Sequence, residues 1–378
     1  MSKAAELANL IGNINMGGGG VNRNLIINGA MNVSQRGTSF ASVSTGTFTL
    51  DRFKRDFSHD GNVTITQDSS APDGFANSLK VDVTTADTSL AAGQYENIAH
   101  LIEAQNLQNL AFGTSDAKNI TVSFYVKSNK TGTYAFNISQ SDNSSKQATL
   151  NYTINSANTW ERKSLTFTGD TSGVINDDNG RGLHLIWFLA AGSTYNSGST
   201  SATFQTYDNA NYAAGQAVNV LDSTDNTWFL TGVQLEVGQN ETVFEHEPFE
   251  TTLEKCERYY QKSYIHSEVP GGNYNSGTGT QKGINIVQSN YNTTQNQQIY
   301  LQQEFRVKMR DAPTIVYYNP YNGDTGKVQH YSSGRSHTVA SAFQCENGFR
   351  IGATSLDSEG NNNGGDTYSF HFTADDEL

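Results

Sequence analysis

The hydrophobic positions of this chain fall mostly in short alternating runs cut by polar turns. Val63 and Ile65 lie two residues apart, as do Leu79, Val81 and Val83. Ile120, Val122, Phe124 and Val126, and then Tyr134, Phe136 and Ile138, repeat the pattern. A period of two marks a strand with one buried face. Runs at 25–27, 47–57, 150–154 and 160–167 are less regular strand candidates. The run 183–189 is apolar almost throughout and predicts the most deeply buried strand. Strands at this spacing, separated by turn residues, predict a two-sheet antiparallel sandwich.

Helical spacing occurs in three places. Ala4, Leu7, Ala8, Ile11 and Ile14 predict a short amphipathic helix over 2–14. Alone it is too short to be stable in water, so it needs trimer mates or a larger assembly. Glycines 17–20 then read as a flexible joint; a phosphate loop would need a preceding strand and a following Lys-Ser/Thr. Ile98, Leu101, Ile102 and Leu107 predict a helix over 98–110. The third place lies in 228–264. There a strand through Phe229, Leu230, Val233, Leu235 and Val237 stops at Gly238-Gln239-Asn240. Thr251-Thr252-Leu253-Glu254 then reads as a capping box opening a helix over 251–263, with Leu253, Cys256 and Tyr260 on its apolar face.

After a Gly/Asn-rich passage, runs at 284–287, 299–307, 314–318, 339–345, 349–353 and 368–372 predict a second β-domain. The expected architecture is all-β: a jelly-roll β-sandwich followed by a smaller C-terminal β-domain, with a short N-terminal helix and a connector helix. The boundaries read as 1–20 for the helix and glycine joint, 21–248 for the sandwich, 249–265 for the connector and 266–378 for the C-terminal β-sandwich.

Composition supports a folded β-protein. Hydrophobic residues make up 35% of the 378 and charged ones 16%, yet aromatics reach 11%. A disordered chain would be poor in such rings. The net charge of -13 repels phosphate backbones and argues against nucleic-acid binding. No run approaches the length of a membrane span, and no secretory signal is visible. Cys256 reads as a buried free thiol, although a pairing with Cys345 stays open.

No catalytic constellation emerges. Asp177-Asp178 reads as a solvated turn, and Glu241, Glu245, Glu247 and Glu250 as joint and helix-dipole acids. A glycosidase would need two carboxylates facing one bond, and these pairs do not supply them. The eight histidines show no HExxH, and there is no GxSxG elbow. No cofactor is called for. A structural calcium ion on Asp51 and Glu236 is allowed, set against an ordinary turn salt bridge with Arg52. Tyr/Asn-rich loops are the clearest binding material: Tyr195-Asn196, Tyr207 to Tyr212, Tyr274-Asn275, Tyr291-Asn292 and the 317–322 segment. Three tyrosines within 317–321 favour that last segment as an outward-facing site.

The residues 24–37, NLIINGAMNVSQRG, followed by Leu50-Asp51-Arg52-Phe53, resemble the opening strand of a module found in phage tail-fibre and receptor-binding proteins. Residues 160–163, 183–192 and 228–260 continue that likeness. The stretch 309–314, MRDAPT, and the end 372–378, FTADDEL, resemble the small β-domain that often follows. The first module is similar to carbohydrate-binding jelly rolls. The resemblance implies a homotrimeric virion fibre attached to the phage tail through its N-terminal helix. It implies a C-terminal domain meeting a host cell-surface glycan or protein. The expected ligand residues are Tyr317, Tyr318, Tyr321, Asn322, Arg335 and His337. The alternatives are a glycan depolymerase and a purely structural head-fibre or tail-adaptor protein.

Overall fold

The computed structural model describes residues 3–4, 23–142, 145–272, 286–290, 298–330, 336–354 and 366–378. They group into two units, one of 38–252 with the stretch before Gln35, the other of 253–377 with 35–37. The helix expected over 2–14 and the glycine joint lie outside the described residues, apart from Lys3 and Ala4.

The first unit is a sandwich of two antiparallel sheets. One has the spatial order β1 (Ser39–Ala41), β4 (Asn62–Asp68), β5 (Ser78–Thr85), β13 (Thr227–Val237), β7 (Ile120–Ser128) and β10 (Glu161–Phe167). The other runs β12 (Ser201–Thr206), β9 (Lys146–Ile154), β8 (Gly132–Gln140), β11 (Arg181–Ala191), β6 (Tyr95–Glu103), β3 (Phe53–Ser58) and β2 (Thr47–Phe48). Alternate residues of both sheets fill one core. Trp187 lies within it, fully buried, with ring centroids of Phe136 at 4.9 Å, Phe124 at 5.8 Å and Phe53 at 6.4 Å. Burial of aromatics on this scale is the main stabilising contribution a thin sandwich has.

Two local expectations are corrected. Ile98, Leu101 and Ile102 belong to strand β6, and only Ala104–Leu110 is helical, as a 3-10 helix. β6 pairs with β11 on one side and β3 on the other, and both its faces are covered. With both faces buried and polar and apolar residues on each, the strand loses the alternation that would identify it. Residues 25–27 form no strand either. The segment is a turn clamped by two asparagines. Asn24 Oδ1 accepts from Ile26 N and Leu235 N, and its Nδ2 donates to Val233 O. Asn28, at φ 63°, donates to Val33 O and Asp51 O and accepts from Val33 N. Asparagine tolerates the left-handed region better than other side chains do.

In β13 the register shifts between Thr231 and Gln234, where Gly232 has φ +60°. A Cβ there would lie 2.8 Å from the rings of Phe75 and Tyr125. The bulge therefore requires glycine.

The second unit is one sheet in the order β14 (Tyr260–Lys262), β21 (Asp366–Asp375), β18 (Lys327–His330), β19 (Ser336–Cys345), β20 (Gly348–Thr354) and β16 (Gln298–Glu304). β15 (Ile286–Asn290) and β17 (Thr314–Tyr318) also pair with β21. Its core joins Leu301, Met309, Val328, Phe349, Ile351 and Phe370, among others.

The connector helix runs Phe249–Glu257 and not 251–263. Thr252 is inside it, and its hydroxyl donates to Pro248 O and to the Glu247 carboxylate. The chain is extended again by Tyr260, because Tyr260–Lys262 pair with Asp375, Ala374 and Thr373 of β21. Ladder pairing here overrides helical spacing. Cys256 is buried and Cys345 exposed, and the two form no disulfide.

Candidate functional site

The seven-stranded sheet has a second, outward face, and its registered rows define what that face presents. One row carries Lys54, Ala99, Ile186, Asn137 and Thr149 across β3, β6, β11, β8 and β9. The next carries Asp56, Asn97 and Phe188. On the other side lie Leu101, His184, Ser139 and Gln147. The segment after β11 folds over the β8–β9 half. Two helical turns, α1 (Ser193–Asn196) and α2 (Asn209–Tyr212), shape it. Gln147 Nε2 donates to Asp208 O, and Thr149 Oγ1 to Asn211 O. Asp208 caps α2 by accepting from Ala210 N.

This fold-over brings four tyrosines together. Tyr95 and Tyr195 meet edge to face at 5.4 Å, Tyr195 and Tyr212 at 6.0 Å, and Tyr207 and Tyr212 at 5.6 Å. Tyr212 also stands on the Phe188 ring at 5.0 Å. Tyr207 is 39% exposed, the most open of the four. The ring edges lock one another, so the wall they form is preorganised.

On the same face several buried polar atoms have no hydrogen-bond partner among the described residues: Asn97 Oδ1, Asn137 Oδ1 and His184 Nε2. Buried polar atoms are nearly always satisfied, and exceptions point to a missing partner such as a ligand or ordered water. The electrostatics keep the face uncharged in its middle. Burial pushes the Tyr95 hydroxyl up, helped by the Asp56 carboxylate. Burial likewise raises Tyr212 and Tyr207. Burial holds His184 well below its ordinary value, with Lys54 and Arg181 adding to the effect, so its imidazole is neutral near pH 7. Lys54 and Asp56 form an ion pair on this face at 3.0 Å. Rings, amides and a neutral imidazole beside protonated phenols suit a ligand rich in hydroxyls.

The five expected ligand residues that are described are not assembled into one surface. Tyr317 is a core residue, 7% exposed, with Phe349 at 5.8 Å and Phe370 at 6.4 Å. Burial pushes its hydroxyl up to about 12. It is the penultimate residue of strand β17, so alternation turns it inward despite the loop-like composition that follows. His337 is also buried, edge-on to Tyr368 at 5.8 Å. Tyr318 is half-buried against Tyr264. Tyr321 is half-buried in a turn in which its N–H donates to Asn319 Oδ1. Asn322 is exposed and exchanges hydrogen bonds with Asp324. Arg335 lies outside the described residues.

Of the carboxylates singled out for calcium, Glu236 accepts from Thr242 N, Thr242 Oγ1 and Gln234 Nε2 at 2.7–2.8 Å. Asp51 is buried, and its backbone carbonyl accepts from Asn28. Among the described residues, no group of three or more His, Cys, Asp and Glu is placed to hold a metal ion. Asp178 accepts from Gly180 N in a simple turn.

No protein-family model matches this sequence, and no curated protein matches it. Solved structures do show similarity. The enzymatically active domain of tailspike protein 4 from bacteriophage CBA120 is similar over 52% of this chain and 21% of its own, at 13% identity and a TM-score of 0.29. This chain thus spans about a fifth of that tailspike chain. The family 11 carbohydrate-binding module of Clostridium thermocellum is similar over 56% of this chain and 99% of its own, at 13% identity and a TM-score of 0.27. The N-terminal cellulose-binding domain of β-1,4-glucanase C from Cellulomonas fimi is similar over 55% of this chain and 99% of its own, at 13% identity and a TM-score of 0.27.

Proposed function

We propose that this chain is a carbohydrate-binding protein whose first unit holds a saccharide on the outward face of the seven-stranded sheet. The observation that carries this reading is the tyrosine wall of Tyr95, Tyr195, Tyr207 and Tyr212 standing beside the unpartnered Asn97, Asn137 and His184 atoms. A pyranose ring lays its C–H face on an exposed phenol ring and turns its hydroxyls to the amides. Ordered water beneath the wall then links the sugar hydroxyls to the buried Asn97, Asn137 and His184 atoms. Binding, with no chemical turnover, is the proposed activity.

The resemblance of 24–53 and 228–260 to phage fibre modules supports placing the protein on a virion. In that role residues 1–20 attach it to the tail and three copies assemble. Three copies of a weak site gain avidity without any new contact. The receptor is then a host surface glycan.

The test is retention of the full chain on immobilised oligosaccharides of known composition, with Tyr207→Ala and Tyr195→Ala as variants. Binding that falls about tenfold in each variant, a loss of about 1.4 kcal/mol, is expected. Unchanged binding in both variants removes the sheet face from consideration. Mass photometry at micromolar concentration should show a trimer, and a monomer would refute the assembly.

A further inference from the structure

The second unit carries its own patch of recognition chemistry, at the end of the sheet formed by β19, β20 and β16. Cross-strand register sets six positions in two rows on one face. Phe343, Arg350 and Gln302 make the first row, and Cys345, Gly348 and Glu304 the second. The neighbouring residues Phe349, Ile351 and Leu301 point the other way and are buried in the core. Phe343 is 54% exposed, unusual for a phenylalanine, and the Arg350 guanidinium lies 4.9 Å from its ring centroid. The exposed ring offers a flat apolar surface on which a C–H face can stack.

Gly348 gives the patch its shape. A Cβ there would lie 2.3 Å from Gln303 O, so β16 can pair closely only because this position has no side chain. The second row carries no side chain at its centre, with Cys345 and Glu304 on either side and Arg350 in the adjoining row. The depression has a volume of about 620 Å³, and Asn347 and Gln303 complete its rim.

The geometry points to a second saccharide site here, specific for neutral sugars. A depression floored by a glycine and sided by a phenyl ring accepts a flat C–H face. A guanidinium, a carboxylate and amides offer both donors and acceptors to hydroxyl pairs, which are donor and acceptor at once. One carboxylate balances one guanidinium, so the patch has no charge to select an acidic sugar. The chain's net charge of -13 disfavours an anionic polymer further. This site shares no residue with the tyrosine wall of the first unit and stands or falls independently of it.

The experiment uses the full chain with Tyr195 and Tyr207 both changed to Ala, which removes the first site's contribution. It is applied to two immobilised panels, one of neutral hexose and N-acetylhexosamine oligosaccharides and one of hexuronate oligosaccharides. Retention on at least one neutral oligosaccharide is expected, reduced at least tenfold by Phe343→Ala and by Arg350→Ala. Both side chains are exposed, and a circular dichroism melt unchanged from the parent confirms that the variants fold. A Gln302→Ala variant provides a second measure at another exposed position of the patch. Retention only on hexuronates, no retention on either panel, or retention indifferent to all three substitutions would each overturn the proposal.

Discussion

Arg55 on β3 and Glu96 on β6 meet through three hydrogen bonds of 2.8–3.1 Å, and neither side chain has any exposure to solvent. The His59 ring adds a contact of 2.6 Å to the same carboxylate. The guanidinium also lies 3.8 Å over the Phe57 ring. A charge buried in this way is tolerable only while its partner is present. Glu96→Gln should therefore cost about 3–5 kcal/mol in denaturant unfolding. The double change Arg55→Met with Glu96→Leu should cost much less, because it removes both charges. A single variant that loses under about 1 kcal/mol would show that the pair is not desolvated.

The bulge at Gly232 gives a steric prediction. Gly232→Ala places a Cβ 2.8 Å from two rings at φ +60°. Overpacking of this kind costs about 1–3 kcal/mol. The chemical denaturation midpoint should fall without a change in m-value, and an unshifted midpoint would mean that Phe75 and Tyr125 move aside freely.

Asn28 separates conformation from hydrogen bonding. Asn28→Gly keeps the left-handed turn but loses three hydrogen bonds, while Asn28→Ala loses both. At about 1 kcal/mol per bond, Asn28→Gly should cost about 2–3 kcal/mol, and Asn28→Ala should cost more. Equal losses in thermal unfolding would mean that the backbone strain contributes nothing.

His371 makes the second unit sensitive to acid. It stacks on Tyr264 at 4.2 Å and shares a hydrogen bond with Ser263 Oγ. Burial pushes its pKa down from 6.5 to about 4. Below pH 6.5 the unfolded chain binds a proton that the folded chain refuses. Stability should thus be level above about 6.5 and fall as the pH drops towards 4. His371→Gln should flatten that dependence by roughly one proton. A wild-type stability that does not change between pH 7 and 4.5 would contradict the burial. His184 and His100 in the first unit shift in the same direction for the same reason, so the His371→Gln difference isolates the second unit's share.

Strands whose two faces differ in polarity were legible in the sequence, as were very apolar ones. The 183–189 run is the spine of β11, and the alternation of 120–126 and 134–138 is β7 and β8. β6 was misread because both its faces are covered. The 251–263 helix was overextended because long-range pairing of Tyr260 with Asp375 leaves no local trace. The site behaved similarly. Tyr195, Tyr207 and Tyr212 each stand out as Tyr/Asn loop residues, but only the fold-over after β11 brings them to Tyr95. Asn97, Asn137 and His184 sit among apolar neighbours and carry no signal until register places them on one face. Tyr317 misled for a different reason: the 314–318 strand is legible, but the Tyr/Asn composition of 317–322 outweighed the alternation that turns Tyr317 inward.

β13 and β21 each come last among their unit's strands and pair with partners made much earlier. β13 lies between β5 and β7, and β21 pairs with β14, β15, β17 and β18. On the ribosome, neither unit can complete its sheet until that strand has emerged. A chain paused before residue 227 leaves the facing edges of β5 and β7 without their shared partner, and one paused before 366 leaves four strands without theirs. Unpaired edges attract other strands. The interval just before each of these strands is therefore when the growing chain is most exposed to misassembly, and slow translation there would carry the greatest risk.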